Sequence, residues 1–454
     1  MHNQKWARPL ARIAVFVTFI GAANAQAAWE PPEKISRAEM VRTTQVVQSA
    51  PEIKFKQHED IFRIRALDMD WDIGSIVYEP EDPGKIPVGP DGKKIGVFML
   101  HGGTGDASNI EVVARALVTK FGYKVTSMTF PGRLYLNDPS RKWPGDSIDS
   151  SYSGAARTPI WKKDLVITPD QYDIVKDTSQ RAKYGTFVSL RAKEGTEFYN
   201  RMAAWPVAFD EAMREANRRQ FPQQDYSVYL YGHSTGGPFI MIASQRVPNV
   251  AGILGYGTSP FGYMYPATGK TGWNFPFNNL RMRTWADVAR YSEEDLGKKG
   301  YSWPLLMETV FERWEGLKSQ PNFKAEDFIH KNSVKALEAA ARASAKRLKM
   351  NAEATDALVL RYTGYVREMS GPGVKPVPAF LSVHGGDDET VSYEHAQKVL
   401  PMYAVMKPAP KVNVVLLEAG VHIWDFKEPD LPLGVTPTVT TLWNEAITKG
   451  YFLK

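Results

Sequence analysis

The stretch "VYLYGHSTGGP" (residues 228–238) decides how this chain is read. A run of strand-forming Val, Tyr and Leu stops at Gly232, and a hydrophobic segment, "PFIMIA", begins after Gly236-Gly237. The residues between are small apart from His233. Where a strand opens directly into a helix the backbone turns sharply, and side chains at positions 232 and 236 would strike the adjoining strand and helix. Glycine at both positions removes those clashes, and Gly237 allows closer packing still. Such a turn holds Ser234 out at the edge of a sheet. A serine hydroxyl alone is a poor nucleophile, so the turn acquires a chemical meaning only if a base, an acid and a donor site for negative charge reach it.

The flanking segments predict the sheet. "IGVFML" (95–100) is a continuous apolar run, as in strands buried on both faces of a parallel sheet. "NIEVVARALVTKFG" (109–122) has apolar residues at helical spacing, and "YKVTSMTF" (123–130) is a further strand stopped by Pro131-Gly132. A helix over 196–219, with a kink or restart at Pro206, precedes the strand 225–231, and "VAGILGYG" (250–257) is the next strand. Strands return at "PAFLSVHGG" (378–386) and "KVNVVLLEAG" (411–420), with a helix over 392–405 between them and a final helix over 438–449. Upstream, "FRIRALDMDWDIGSIVYEPED" (62–82) predicts two antiparallel strands, residues 28–60 an irregular arm, and 133–195 a long loop. Strand–helix alternation of this kind predicts an α/β fold with a mainly parallel central sheet and helices on both faces. Residues 261–377, aromatic at first and then helical in pattern, interrupt the alternation and predict a helical cap inserted between two parts of the core, 28–260 and 378–454.

The partners that Ser234 needs occur in a workable order. "LSVHGGDDETV" puts Asp387 and Asp388 just past the end of a strand, and "LLEAGVHIWDF" does the same for His422 after the last strand. His384 precedes the acids within the strand end and reads as a packed histidine rather than the base. His233 reads as filling space behind the turn.

With these residues in place the chain resembles the α/β-hydrolase superfamily, from about Leu100 to His422. That resemblance implies Ser234 as nucleophile, His422 as base and the acid within a G-x-x-D-x-x-V pattern, which Gly385 to Val391 matches with Asp388; Asp387 is the alternative one position away. Val421 before His422 departs from the small residue common there. "HGGTG" (101–105) fits the superfamily's oxyanion loop, so the Thr235 N–H would be one donor to the oxyanion and the Gly103 N–H the other, or Thr104 if the loop is shifted by one. The function implied is a serine hydrolase acting on a small-molecule carboxylic ester without a cofactor. Amidases, peptidases and carbon–carbon bond hydrolases share this triad, while dehalogenases and many epoxide hydrolases of the superfamily carry aspartate in place of Ser234. A non-catalytic binding protein is the alternative from another class, though binding gives no reason to retain all three groups.

Composition narrows the remainder. The 454 residues include no cysteine, which excludes disulfides, thiolate metal sites and cysteine nucleophiles. The eight histidines show no H-x-H or H-x-x-x-H spacing, and no metal site is expected. Residues 1–27 combine Lys5, Arg8 and Arg12, the apolar run "IAVFVTFIGAA" and alanines at 23, 25 and 27, a signal-peptide pattern that predicts a secreted or periplasmic protein without stable membrane insertion after cleavage. Its removal takes the formal charge from +6 to +3, which gives no case for nucleic-acid binding. The oligomeric state stays open.

Overall fold

The computed structural model describes residues 29–66, 69–102, 110–129, 131, 170, 172–177, 187–193, 195–234, 236–237, 240, 244, 247–258, 342, 345–346, 348–368, 378–388, 391–394, 396–397, 409–424 and 426–453. In chain order its elements are β1 (Lys34–Ile35), α1 (Arg37–Ser49), β2 (Phe55–Ala66), β3 (Met69–Pro80), β4 (Lys94–Leu100), α2 (Glu111–Phe121), β5 (Lys124–Met128), β6 (Tyr172–Asp177), β7 (Phe187–Ala192), α3 (Glu197–Gln220), β8 (Tyr226–His233), β9 (Val250–Tyr256), α4 (Ala352–Glu368), β10 (Phe380–Gly385), β11 (Val412–Leu417) and α5 (Thr436–Thr448). Nine strands form one sheet in the order β1-β11-β10-β9-β8-β4-β5-β3-β2. Pairing is parallel from β1 across to β5, and antiparallel where β3 meets β5 and β2.

Alternation along the strands builds a core on each face. Val97 and Met99 of β4, Tyr229 and Tyr231 of β8 and Val383 of β10 join one cluster with Val113 and Leu117 of α2 and Leu442 and Trp443 of α5. Phe98, Leu100, Val228 and Leu230 are equally buried but lie outside that cluster, facing the other way. There α3 packs along β2, β3 and β5 and buries Ala208, Phe209, Ala212 and Met213. No helix among the described residues is long and apolar enough to cross a membrane.

Three expectations are corrected. Residues 28–60 are not an irregular arm: they hold β1, which covers the sheet edge at β11, then α1 and the start of β2. The buried stripe of α1 is narrow, Met40, Thr44 and Val47, so helical periodicity was faint. Its start signal was local: the Ser36 hydroxyl accepts from the Glu39 N–H, and the Glu39 carboxylate accepts from the Ser36 N–H. The long loop 133–195 contains an antiparallel pair, β6 and β7, of six residues each. Their strands are short and interrupted by charged residues, and no two-residue Asn-Gly or Asp-Gly turn joins them. Finally, α3 runs through Pro206 with no restart. The buried positions from Ala208 onward offset the one backbone hydrogen bond that proline removes.

The signal segment 1–27 and most of the expected cap lie outside the described residues; within 261–377, Arg342, Ala345 and Lys346 are helical and α4 follows. The capping box gives a direct test. Ser36→Ala is expected to cost about 1 kcal/mol, seen as a lower denaturant midpoint with an unchanged slope.

Candidate active site

The sheet brings the chemistry to one edge. From β4 the chain moves to β5 on one side, whereas β8 lies on the other side with β9, β10 and β11 beyond it. Strand order therefore reverses between β4 and β8, and in an open parallel sheet a crevice forms beyond the carboxyl ends of the strands at such a point. Ser234 leaves β8 there, and His101-Gly102 leave β4 beside it. A Cβ added to Gly102 would sit 3.2 Å from the Ser234 Cβ, so the two strand ends are in contact.

The turn at Ser234 is tight. Its φ is 53°, and Lys349 is the other non-glycine residue with positive φ among those described. For a side chain with a Cβ this conformation costs about 1–3 kcal/mol and persists only where surroundings enforce it. Here the Ser234 N–H donates to the Gly257 carbonyl at 3.2 Å, and the Ser234 carbonyl accepts from the Gly237 N–H at 3.0 Å and the Thr258 hydroxyl at 3.1 Å. Glycine at 236 is obligatory, because a Cβ would lie 2.6 Å from the Leu100 carbonyl oxygen and 2.8 Å from that of His101. At 232 it would lie 2.7 Å from the Gly236 carbonyl oxygen. A strained serine between a central parallel strand and a helical segment, followed in sequence by Asp388 and His422 at the same sheet edge, settles the architecture. The chain has the α/β-hydrolase fold.

Within this α/β-hydrolase fold, Asp388 follows β10 and His422 follows β11. The His422 Nδ1 lies 2.9 Å from Asp388 Oδ2. A carboxylate accepts, so Nδ1 donates. The other Asp388 oxygen accepts from the Val391 N–H at 2.9 Å. Burial, the largest influence on Asp388, pushes its carboxyl upward, but His422, the Val391 N–H and His384 together outweigh it and hold the group below its ordinary value. Asp387 instead points to solvent, its backbone N–H bonded to the Gly420 carbonyl. Of the two neighbouring acids it is Asp388 that meets His422.

Gly257 joins the parts. Its carbonyl accepts from Ser234, while a Cβ on it would come within 2.8 Å of Asp388 Oδ2 and 2.9 Å of His422 Nδ1. Its φ of 54° also suits glycine. Sequence reading passed over this residue and its neighbours; the available signal was the "GYG" run closing β9.

His384 and His233 have partners of their own. His384 is buried between the Ser382 hydroxyl, 2.7 Å from Nε2, and the Val391 carbonyl, 3.0 Å from Nδ1. Burial lowers its pKa, so it stays neutral behind the loop that carries Asp388. His233 has Nε2 2.8 Å from the His422 carbonyl, and burial, with the His422 charge beside it, lowers it to about 3. Gly103, Thr104 and Thr235, the expected oxyanion donors, lie outside the described residues. Among the described residues no group of three or more His, Asp or Glu is placed to hold a metal ion.

No protein-family model and no curated protein sequence matches the chain. Among solved structures it is similar to Est1E from Butyrivibrio proteoclasticus, at 14% identity over 85% of this chain and 98% of that one, with a TM-score of 0.37. It is similar to esterase E22 at 12% identity, over 88% of this chain and 100% of that one, with a TM-score of 0.38. It is also similar to the acylaminoacyl peptidase of Pyrococcus horikoshii at 11% identity and a TM-score of 0.36, over 88% of this chain but 42% of the peptidase. The fold itself rests on this chain's own strand order and the turn at Ser234.

Two outcomes follow from the geometry. Gly236→Ala forces a methyl group against two backbone carbonyls and should lower the melting temperature by several degrees, in line with about 1–3 kcal/mol of overpacking. Because the Asp388 carboxyl is depressed in the folded state, it stabilises the fold fully above its unfolded pKa of about 3.9 and loses that contribution as pH falls through the folded value. The stability advantage of wild type over Asp388→Asn should therefore shrink below about pH 4, as measured by urea unfolding at stepped pH.

Proposed function

We propose that this protein is an exported serine hydrolase that cleaves carboxylic esters through an acyl-enzyme on Ser234. The observation that carries the reading is the pairing of Asp388 with His422 at 2.9 Å against Gly257, the residue whose carbonyl holds the strained Ser234. In this mechanism the Ser234 Oγ attacks the ester carbonyl carbon as its proton passes to His422 Nε2. Asp388 fixes the tautomer and stabilises the imidazolium. The tetrahedral intermediate collapses with cleavage of the bond to the alcohol oxygen, which takes the proton from His422. Water then attacks the acyl-enzyme, giving its proton to His422, and the carboxylic acid leaves as Ser234 is reprotonated. Backbone N–H groups of Thr235 and of Gly103 or Thr104 would receive the oxyanion. These side chains and backbone groups suffice without a cofactor. The pattern of residues 1–27 supports export to the periplasm or the medium.

A fluorophosphonate probe should label wild type at Ser234 and leave Ser234→Ala unlabelled. Ser234→Ala should lower kcat on a p-nitrophenyl ester by about 10⁴-fold or more, with its melting temperature little changed, and adding His422→Ala should scarcely deepen the loss. Near-normal turnover by purified Ser234→Ala would refute the assignment. Intact mass of protein from the periplasm should place the mature N-terminus near Gln26 or Ala28; full-length chain held in membranes would contradict export.

A further inference from the structure

The segment that carries His422 has lost its strand. β11 ends at Leu417, and Gly420 turns with a φ of 120°. The carbonyls of Val421 and His422 therefore have no sheet partner in this half-buried segment. Both are met by side chains from the two central strands. The Tyr256 hydroxyl, from the end of β9, donates to the Val421 carbonyl at 2.5 Å. His233, from the end of β8, donates from Nε2 to the His422 carbonyl at 2.8 Å. Two residues further on, the Trp424 indole N–H donates to the Tyr231 hydroxyl at 2.8 Å.

The same rings pack in series beside the imidazole, with His233 the one in contact with it. The His233 and His422 ring centroids lie 4.7 Å apart at 32°, Tyr256 stacks on His233, and Trp424 packs 4.3 Å from Tyr256. An acceptor faces His233 Nε2, so that nitrogen bears hydrogen, and burial keeps the ring neutral. Neutrality suits its place: a second positive charge beside His422 would oppose the imidazolium that forms when Ser234 is deprotonated. Burial also raises the Tyr256 phenol well above its ordinary value, which keeps it a donor.

We propose that His233 and Tyr256 are positioning residues, neutral donors that clamp the His422 and Val421 carbonyls and so hold the His422 imidazole in line between Asp388 and Ser234. The proposal rests on the reading of His422 as the base. It adds that the residue before the nucleophile sets the geometry of the base and does not merely fill space behind the turn.

The test compares His233→Leu and Tyr256→Phe, which each remove a donor, with His233→Gln, whose amide nitrogen can reach the same carbonyl. Both donor-free variants should lower kcat by about 10- to 100-fold with little change in KM, and His233→Gln should recover most of the loss. The deficit should be larger for methyl esters than for p-nitrophenyl esters, because an alkoxide needs the proton that a well-placed His422 delivers. Packing loss alone would lower the melting temperature without that leaving-group trend. As an observable independent of turnover, the downfield proton resonance of His422 Nδ1–H should be present in wild type and broadened in both donor-free variants. Folded donor-free variants with wild-type kcat on both ester classes and an unchanged resonance would overturn the clamp. A wild type that fluorophosphonate does not label would instead overturn the hydrolase reading, while the resonance still tests the clamp.

Discussion

The approach of Gly236 to the carbonyls of Leu100 and His101 is the contact on which the rest of this molecule depends. It lets the turn after β8 lie against the end of β4, which fixes where the helical segment starts and forces Ser234 into a conformation its Cβ disfavours. Hydrogen bonds to the Gly257 carbonyl and from Thr258 and Gly237 then over-determine that conformation. The strain is local, while the groups that enforce it come from three separated segments of the chain. Only a fold with parallel neighbours on both sides of β8 delivers those groups to one spot.

Electrostatics at the site follow a consistent pattern. One ionised carboxylate, Asp388, is buried and fully engaged by His422 and the Val391 N–H. Around it stand groups that burial keeps neutral: His384 behind the acid loop, and His233 and Tyr256 behind the base. An anion facing an imidazole stabilises an imidazolium formed there. The neutral groups meanwhile satisfy backbone carbonyls at the loops that carry Asp388 and His422. Charge placement and loop geometry are thus set by the same side chains.

Several elements were legible because their signals are local. Continuous apolar runs marked β4, β8 and β9, since strands covered on both faces need no polar alternation. Glycines on either side of Ser234, and acidic residues and a histidine just past later strands, marked a candidate site. Helix α1 escaped because its buried stripe is three residues wide, although the Ser36–Glu39 capping box announced its start. The pair β6–β7 escaped because neither strand carries a strong pattern of its own and their partnership is decided by pairing.

The sequence by itself determined most of the sheet's strands along the chain, the tight turn at Ser234 and the candidate groups around it, because turn sterics and strand patterning act over a few neighbouring residues. It favoured Asp388 by its place in the G-x-x-D-x-x-V match but kept Asp387 as the alternative, since they differ by a single position at a strand end. Only the tertiary structure separated them: the β10 end turns Asp388 inward to His422 and Asp387 outward to solvent. Only the tertiary structure, too, brought Gly257 between Ser234 and His422 and set His233 and Tyr256 beneath the His422 backbone. Those relations join residues 160 or more positions apart in some cases, as with Tyr256 and Val421. No local rule reaches that far; the order of strands in the sheet does.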